Sequence, residues 1–286
     1  MSLQLNYPSR YHHTYDILDN KYKIIKELGK GSFSNVFKVE NINTSKYYAI
    51  KIIRKVNEYH LFLLEDSINE LNILTTLRDK EYYNITKIYG HFFMGSHMCF
   101  VLKLYDINLK QYLKNYGVCS DTSISSIIKQ LLIALDYLQN NGIIHRDIKP
   151  DNIVFKNKYR QDIVLIDFSI ATHISNILDE HPKKTVQTLY YRAPEIYLNK
   201  DYDYRLDIWS IGCIIYELLT NSVLFKCTTT LELRELHNNV KMIIRKLTYT
   251  KYKLFLKQCL KWNVSDRFYA KDLLKLLYKN NIVYNI

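Results

Sequence analysis

Within "IIHRDIKPDNIVF", Asp147, Lys149 and Asn152 fall inside six residues, around Pro150, which stiffens the loop. A carboxylate, an ammonium and an amide crowded together suit transfer of a phosphoryl group, a reaction that needs positioning and charge neutralisation above all. The carboxylate would activate a hydroxyl, the cation would face a γ-phosphate, and the amide oxygen would be a ligand for Mg2+. Asp167 follows 20 residues after Asp147, where the apolar run "IVLID" ends. A carboxylate there can cap a helix, pair with a cation or hold a metal. The strand "DIVLID" is able to hairpin with "NIVF", which would carry Asp167 to Asn152 and supply the hard oxygen ligands Mg2+ prefers. We therefore read Asp167 as a metal ligand. The bland alternative for the whole group is a charged, solvated turn, and the combination of residue types disfavours it.

Two further patterns precede these. In "LGKGSFSNVF", Gly29 and Gly31 sit in a turn between strands, where backbone N–H groups can approach an anion without a Cβ in the way. Ser34 takes the third position of the G-x-G-x-x-G spacing, and taken alone the turn is an ordinary hairpin signal. In "YAIKII", Lys51 interrupts an apolar strand, as a snorkelling edge lysine also would. Glu70, 19 residues later in "SINELNIL", offers a partner that would hold the amine towards the α- and β-phosphates of a nucleotide.

The elements that must position these residues change character along the chain. "KYKIIKEL", "SNVFKVE" and "KYYAIKII" read as short strands, "LFLLEDSINELNILTTL" as a helix, and "ITKIYGHFF" and "HMCFVLKL" as two more strands. From about residue 107 the pattern is helical. "DTSISSIIKQLLIALDYLQNNG" puts Ile124, Ile127, Ile128, Leu131, Leu132, Leu135 and Leu138 on one stripe and ends at Asn141-Gly142. "RLDIWSIGCIIYELLT" is apolar nearly all round and belongs in a core. Amphipathic "KLFLKQCL" and "AKDLLKLLYK" close the chain. The order implies an α+β protein: a small β-rich lobe with one main helix, then a larger α-helical lobe.

The chain has 286 residues, 48% of them apolar, and a formal net charge of +12. That balance can attract nucleic acid, an anionic membrane or an acidic partner. No block of the nuclear-signal type occurs, so we read it as lysines spread over a surface and expect no direct nucleic-acid binding. The five cysteines are odd in number and never in C-x-x-C spacing, against a disulfide framework or a zinc site. "MSLQLNYPSR" lacks the apolar core of a signal peptide. "IWSIGCIIYELL" is about half a bilayer span and contains Glu217. The expectation is a soluble, intracellular monomer in nucleus or cytoplasm, with no membrane partner.

Assembled, these motifs resemble the eukaryotic protein kinase family over residues 22 to about 278: the glycine loop, "AIK", "HRDIKPDN", "DF", "APE" and "DIWSIGC". The resemblance implies a bilobal kinase domain over 22–281, with an N-lobe at 22–103, a hinge at 103–106, a C-lobe at 107–281 and an N-terminal extension at 1–21. ATP and Mg2+ are the implied cofactors, and protein hydroxyls the implied acceptors. Asp147 would orient and deprotonate the acceptor, Lys149 would neutralise the γ-phosphate, and Asn152 and Asp167 would bind the metal. Thr188, Lys51 and Glu70 complete the catalytic group. Nucleotide contacts fall to Leu28, Gly29, Lys30, Gly31, Ser32, Phe33, Val36, Ala49, Lys51, Leu102 and Val154, with Lys103 and Tyr105 offering backbone hydrogen bonds. Asp207 would anchor the catalytic loop, and Arg267 would pair with Glu195. Both roles are structural.

Lys149 and Thr188 resemble serine/threonine rather than tyrosine kinases. "TVQTLYYRAPEI" is similar to the group holding cyclin-dependent, MAP, DYRK and CDC-like (LAMMER) kinases, and other stretches look closest to the last two. That branch implies dual specificity and Arg/Ser-rich splicing substrates. Departures are Arg146 where LAMMER kinases carry Thr, a missing LAMMER string around Glu232, and Ser169 in place of the glycine after Asp-Phe. A left-handed backbone there would cost a serine roughly 1 kcal/mol. Because Lys51, Glu70, Asp147, Asn152 and Asp167 are intact, a non-catalytic pseudokinase scaffold is the lesser reading, and a small-molecule phosphotransferase lesser still. Thr185 stands where relatives place an activating phosphotyrosine. Arg146 and Arg192 are the expected receivers of such a phosphate, and a constitutively ordered segment is the alternative.

Overall fold

The computed structural model describes residues 17–31, 34–53, 61–77, 83–157, 162–178, 185–248 and 250–279. The chain divides into two compact units, one of Met1–His60 with Tyr89–Leu104, the other of Leu61–Ile88 with Tyr105–Ile286.

The described residues of the first unit form a sheet of six strands: β1 (Ile17–Leu18), β2 (Tyr22–Lys30), β3 (Ser34–Asn41), β4 (Lys46–Ile53), β5 (Ile88–Met94) and β6 (His97–Lys103), in the order β1-β2-β3-β4-β6-β5. Side chains alternate faces along a strand, so parity decides which residues meet. Phe37, Val39, Ile50, Cys99 and Val101 share one face and, with Leu18 and Tyr22, make the core there. Tyr22 stacks on Phe92, ring centroids 6.0 Å apart. The opposite parity, set by the pairs Val36↔Lys51 and Ala49↔Leu102, places Val36, Lys51, Ala49 and Leu102 together on the other face.

Among the described residues the second unit contains α1 (Leu61–Thr76), α2 (Leu109–Tyr116) and α3 (Asp121–Asn140), the short strands β7 (Ile143–Ile144), β8 (Ile153–Asn157), β9 (Asp162–Leu165) and β10 (Thr172–His173), and then further helices. These are α4 (Ile174–Leu178), α5 (Pro194–Tyr197), α6 (Arg205–Thr220), α7 (Thr230–Asn238), α8 (Val240–Lys246), α9 (Thr250–Cys259) and α10 (Ala270–Lys279). Local signals set their ends. Asn108 and Gln111 form a reciprocal capping box on α2, Ser120 caps α3, and Gly142 leaves α3 at φ 73°. The apolar stripe expected on α3 is buried throughout. Helix α6 is buried on all sides, as its composition requires, and approaches α9 at Gly212. A Cβ at that glycine would lie 2.7 Å from the Leu260 side chain. All five cysteines are buried free thiols, and burial pushes Cys99 and Cys119 up to about 11. Among the described residues no helix is long and apolar enough to cross a membrane.

His237 on α7 is 1% exposed, with Nδ1 3.0 Å from the Tyr197 hydroxyl and no hydrogen-bond partner for Nε2. Its ring packs edge-on against Phe225, centroids 4.4 Å apart, and beside Trp209 at 4.8 Å. Burial, reinforced by the charge of Arg267, lowers its pKa from 6.5 to about 3. Between those values the unfolded chain binds a proton that the folded chain excludes, so stability falls as pH drops below 6.5. At pH 5 the loss is about 2 kcal/mol. Urea unfolding at pH 7 and pH 5 should show that loss in the wild type and not in His237→Phe; equal slopes in the two proteins would remove this group as the cause.

Candidate active site

Strands β8 and β9 pair antiparallel, Ile153 with Leu165 and Val154 with Val164. This is the hairpin expected from "NIVF" and "DIVLID". Beyond the pairs, the Ile166 N–H donates to the Asn152 carbonyl at 2.9 Å, which ties the exit of β9 to the loop that carries Asn152. The Asp147 N–H donates to His145 Nδ1 at 3.3 Å, so the ring proton lies on Nε2, which donates to the Ile166 carbonyl at 3.1 Å. Phe168 is fully buried with its ring 4.8 Å from His145. Asp167 is held between these two fixed neighbours with φ 62°, a left-handed backbone uncommon outside glycine. It caps no helix, since α4 begins only at Ile174. Ser169 is not among the described residues with positive φ, so its Cβ carries no left-handed penalty in this conformation. The cost foreseen for it does not arise.

Asp147 is the hub of the loop. Its Oδ1 accepts the Thr188 hydroxyl at 2.8 Å and the Thr188 N–H at 3.2 Å. Its Oδ2 accepts Lys149 Nζ at 2.6 Å and Asn152 Nδ2 at 3.1 Å. Lys149 also donates to Thr188 Oγ1 at 3.0 Å, and Asn152 Nδ2 donates to the Asp147 carbonyl at 2.9 Å. Three residues, up to 41 positions away, thus converge on one partly exposed carboxylate. Because the amide hydrogens of Asn152 are committed to Asp147, only Oδ1 of that side chain remains to meet a cation.

The loop hangs on α6. Buried Asp207 accepts the His145 N–H at 2.8 Å and the Arg146 N–H at 2.9 Å. Burial pushes its carboxyl pKa up, while His145, Arg146 and these two amides oppose the rise. The amides hold Arg146 at φ 66°, the bend that turns Asp147 outward. Below, Glu195 and Arg267 form a bidentate pair at 2.6 and 2.7 Å.

Two arginines are placed otherwise than the sequence suggested. Arg146 is buried, its Nε donating to the Ile170 carbonyl at 2.6 Å and its Nη1 to the Tyr202 hydroxyl at 3.2 Å. Arg192 donates to the carbonyls of Val186 and Gln187 at 3.2 and 3.0 Å. In this conformation both guanidinium groups serve carbonyl and hydroxyl partners, close in sequence to exposed Thr185. Tyr202 lies 56 residues from Arg146 in sequence, and no local spacing announced it. Lys183 and Lys184 lie outside the described residues.

In the first unit, Lys51 is buried in the face it shares with Val36, Ala49 and Leu102. Leu28, Gly29 and Lys30 close β2, and the Gly31 N–H donates to the Ser34 carbonyl at 2.8 Å. A Cβ at Gly29 would meet nothing within 4 Å, and its φ is not positive, so neither packing nor backbone demands a glycine there. Lys103 ends β6. Ser32 and Phe33 lie outside the described residues. In the second unit Glu70 and Val154 are buried, and the Tyr105 hydroxyl accepts the Lys87 N–H at 3.3 Å.

A β-rich unit and a helical unit with a carboxylate, lysine and asparagine in one loop define the protein-kinase fold. Residues 22–278 match the protein kinase domain, and the chain belongs to that family. It is 32% identical over 216 residues to dual specificity tyrosine-phosphorylation-regulated kinase 2 of Drosophila melanogaster, covering 74% of this chain and 29% of that one. To human dual specificity tyrosine-phosphorylation-regulated kinase 4 it is 33% identical over 218 residues, 74% of this chain and 40% of the relative. To serine/threonine-protein kinase prpf4B of Dictyostelium discoideum it is 34% identical over 218 residues, 73% of this chain and 26% of the relative. The chain thus spans about a quarter to two fifths of the length of these relatives. A crystal structure of another kinase domain superposes with a TM-score of 0.79 at 25% identity, over 93% of this chain and 97% of that one.

Proposed function

We propose that the chain transfers the γ-phosphoryl group of ATP to serine or threonine hydroxyls of proteins, with tyrosine as a further acceptor. The observation that carries this reading is the convergence of Lys149, Asn152 and Thr188 on Asp147. Asp147 takes the hydroxyl proton as the oxygen–phosphorus bond forms, and ADP leaves. Thr188 and Asn152 fix the carboxylate, and Lys149 holds positive charge where the transferred group gathers negative charge. Gly29, Gly31 and Lys51 would meet the phosphates, and Leu28, Val36, Ala49, Leu102 and Val154 the adenine. Glu70 is the proposed counter-charge for the Lys51 amine, since a buried lysine demands one.

The donor set also fits a hard cation. Asn152 supplies an amide oxygen and Asp167 a carboxylate, and we assign Mg2+ to them. When bound, the ion would neutralise the phosphate oxygens. ATP with Mg2+ at about 100 times its Kd should stabilise the wild type by about 2.7 kcal/mol. Asp167→Asn should lose most of the accompanying rise in Tm; an equal rise in both proteins would remove Asp167 from the metal site.

The experiment that decides the function offers labelled ATP and Mg2+ to an oriented peptide library and, in parallel, to a metabolite mixture. Label on serine and threonine of peptides is the expected result. Label on metabolites alone, or on nothing, would overturn the reading. Arg/Ser-rich members of the library test the narrower proposal of splicing-factor substrates.

A further inference from the structure

The segment that presents Thr188 to Asp147 is held by its neighbour. Gln187 is a buried, non-glycine residue with φ 65°, a conformation that persists only where its surroundings enforce it. Its side chain is bonded at both ends. Nε2 donates to Ser210 Oγ on α6 at 2.9 Å and to the Leu206 carbonyl at 3.4 Å, and Oε1 accepts the Ala193 N–H at 2.8 Å. The Ser210 hydroxyl donates in turn to the Tyr191 carbonyl at 3.0 Å, so its proton is spent and Oγ can only accept from residue 187. The main-chain carbonyl of Gln187 receives the Arg192 guanidinium at 3.0 Å. The Arg192 guanidinium apart, these bonds are between neutral groups, and through Gln187 and Ser210 they tie residues 187, 191 and 193 to the buried helix.

We propose that Gln187 is a positioning residue that clamps this segment to α6 in place of a phosphate, and so keeps Thr188 on Asp147 whether or not Thr185 is modified. The inference rests on the phosphotransfer reading. The clamp needs a donor on one arm and an acceptor on the other. A carboxylate at 187 would set an oxygen against the lone pairs of Ser210, whereas a protonated carboxyl would restore the pattern. Burial raises the pKa of such a group, and the Arg192 guanidinium at the same residue's main-chain carbonyl opposes that rise.

The wild type and three variants test it, each as the full chain and each checked for cooperative unfolding. Phosphatase-treated wild type and Thr185→Val should keep kcat within about twofold, as substitutions away from the clamp usually do. A loss beyond about tenfold would overturn the proposal. Gln187→Leu should lower kcat by about 10- to 100-fold with KM for ATP unchanged, as small misplacements at a reacting centre do. Gln187→Glu should be equally poor near pH 8 and recover roughly tenfold relative to wild type towards pH 6, with no recovery in Gln187→Leu. A flat ratio across that range would overturn the donor–acceptor logic, since a residue serving only to fill space has no such profile. Hydrogen exchange at the Ala193 amide reads the clamp without catalysis: about tenfold faster exchange in Gln187→Leu is expected, and an unchanged rate refutes the clamp. Failure of the kinase reading would show separately, as absence of transfer by the wild type.

Discussion

Asp147→Asn is expected to lower kcat by about a thousandfold while leaving nucleotide affinity and Tm nearly unchanged. The carboxylate accepts four donors, two at each oxygen. An asparagine can accept at one oxygen only, and its amide hydrogens would face the Lys149 ammonium or the Thr188 hydroxyl. The substitution therefore removes the proposed base and loosens the pair it organised. Because Asp147 and Lys149 are both partly exposed, water replaces the lost contacts and the cost in stability is small. Single-turnover transfer to a peptide separates the chemical step from release. A wild-type rate in Asp147→Asn would show that positioning alone drives the reaction and that the carboxylate is not the base.

The largest loss of stability should come from Arg267, far from any reacting atom. Its guanidinium donates to both Glu195 oxygens and to the carbonyls of Lys261, Arg205 and Trp262, and it lies 5.0 Å over the Trp209 ring. The two side chains are 0% and 3% exposed. Arg267→Leu leaves a buried carboxylate without its cation, at a cost of about 3–5 kcal/mol. Urea titration measures it. Glu195→Leu combined with Arg267→Leu should recover part of that loss, because the desolvation of both charges disappears together. A double variant as weak as the sum of the singles would mean that the carbonyl bonds, not the ion pair, carry the stability.

Much of the site was legible because its chemistry is local in sequence. Asp147, Lys149 and Asn152 share one loop, and the hairpin that brings up Asp167 spans the few residues between β8 and β9. The apolar stripe on α3 marked its buried side. Thr185 with Arg146 and Arg192 shows where such reading stops. Charge and position suggested receivers for a phosphate, but not that these arginines would also bond the Ile170 carbonyl, the Tyr202 hydroxyl and the carbonyls of Val186 and Gln187. The penalty attached to Ser169 likewise assumed a backbone that the chain does not adopt.

By itself, then, the amino-acid order determined the elements, the buried faces and the polar groups of the transfer loop, since each depends on period, turn chemistry or neighbours a few residues apart. The folded molecule decided which donors meet which acceptors across long separations. Gln187 reaches Ser210 over 23 residues, His237 enters a ring cluster drawn from several elements, and Asp207 finds two amides about 60 residues away. Such pairings follow from how buried polar groups are satisfied when helices pack, and no spacing along the chain encodes that arrangement.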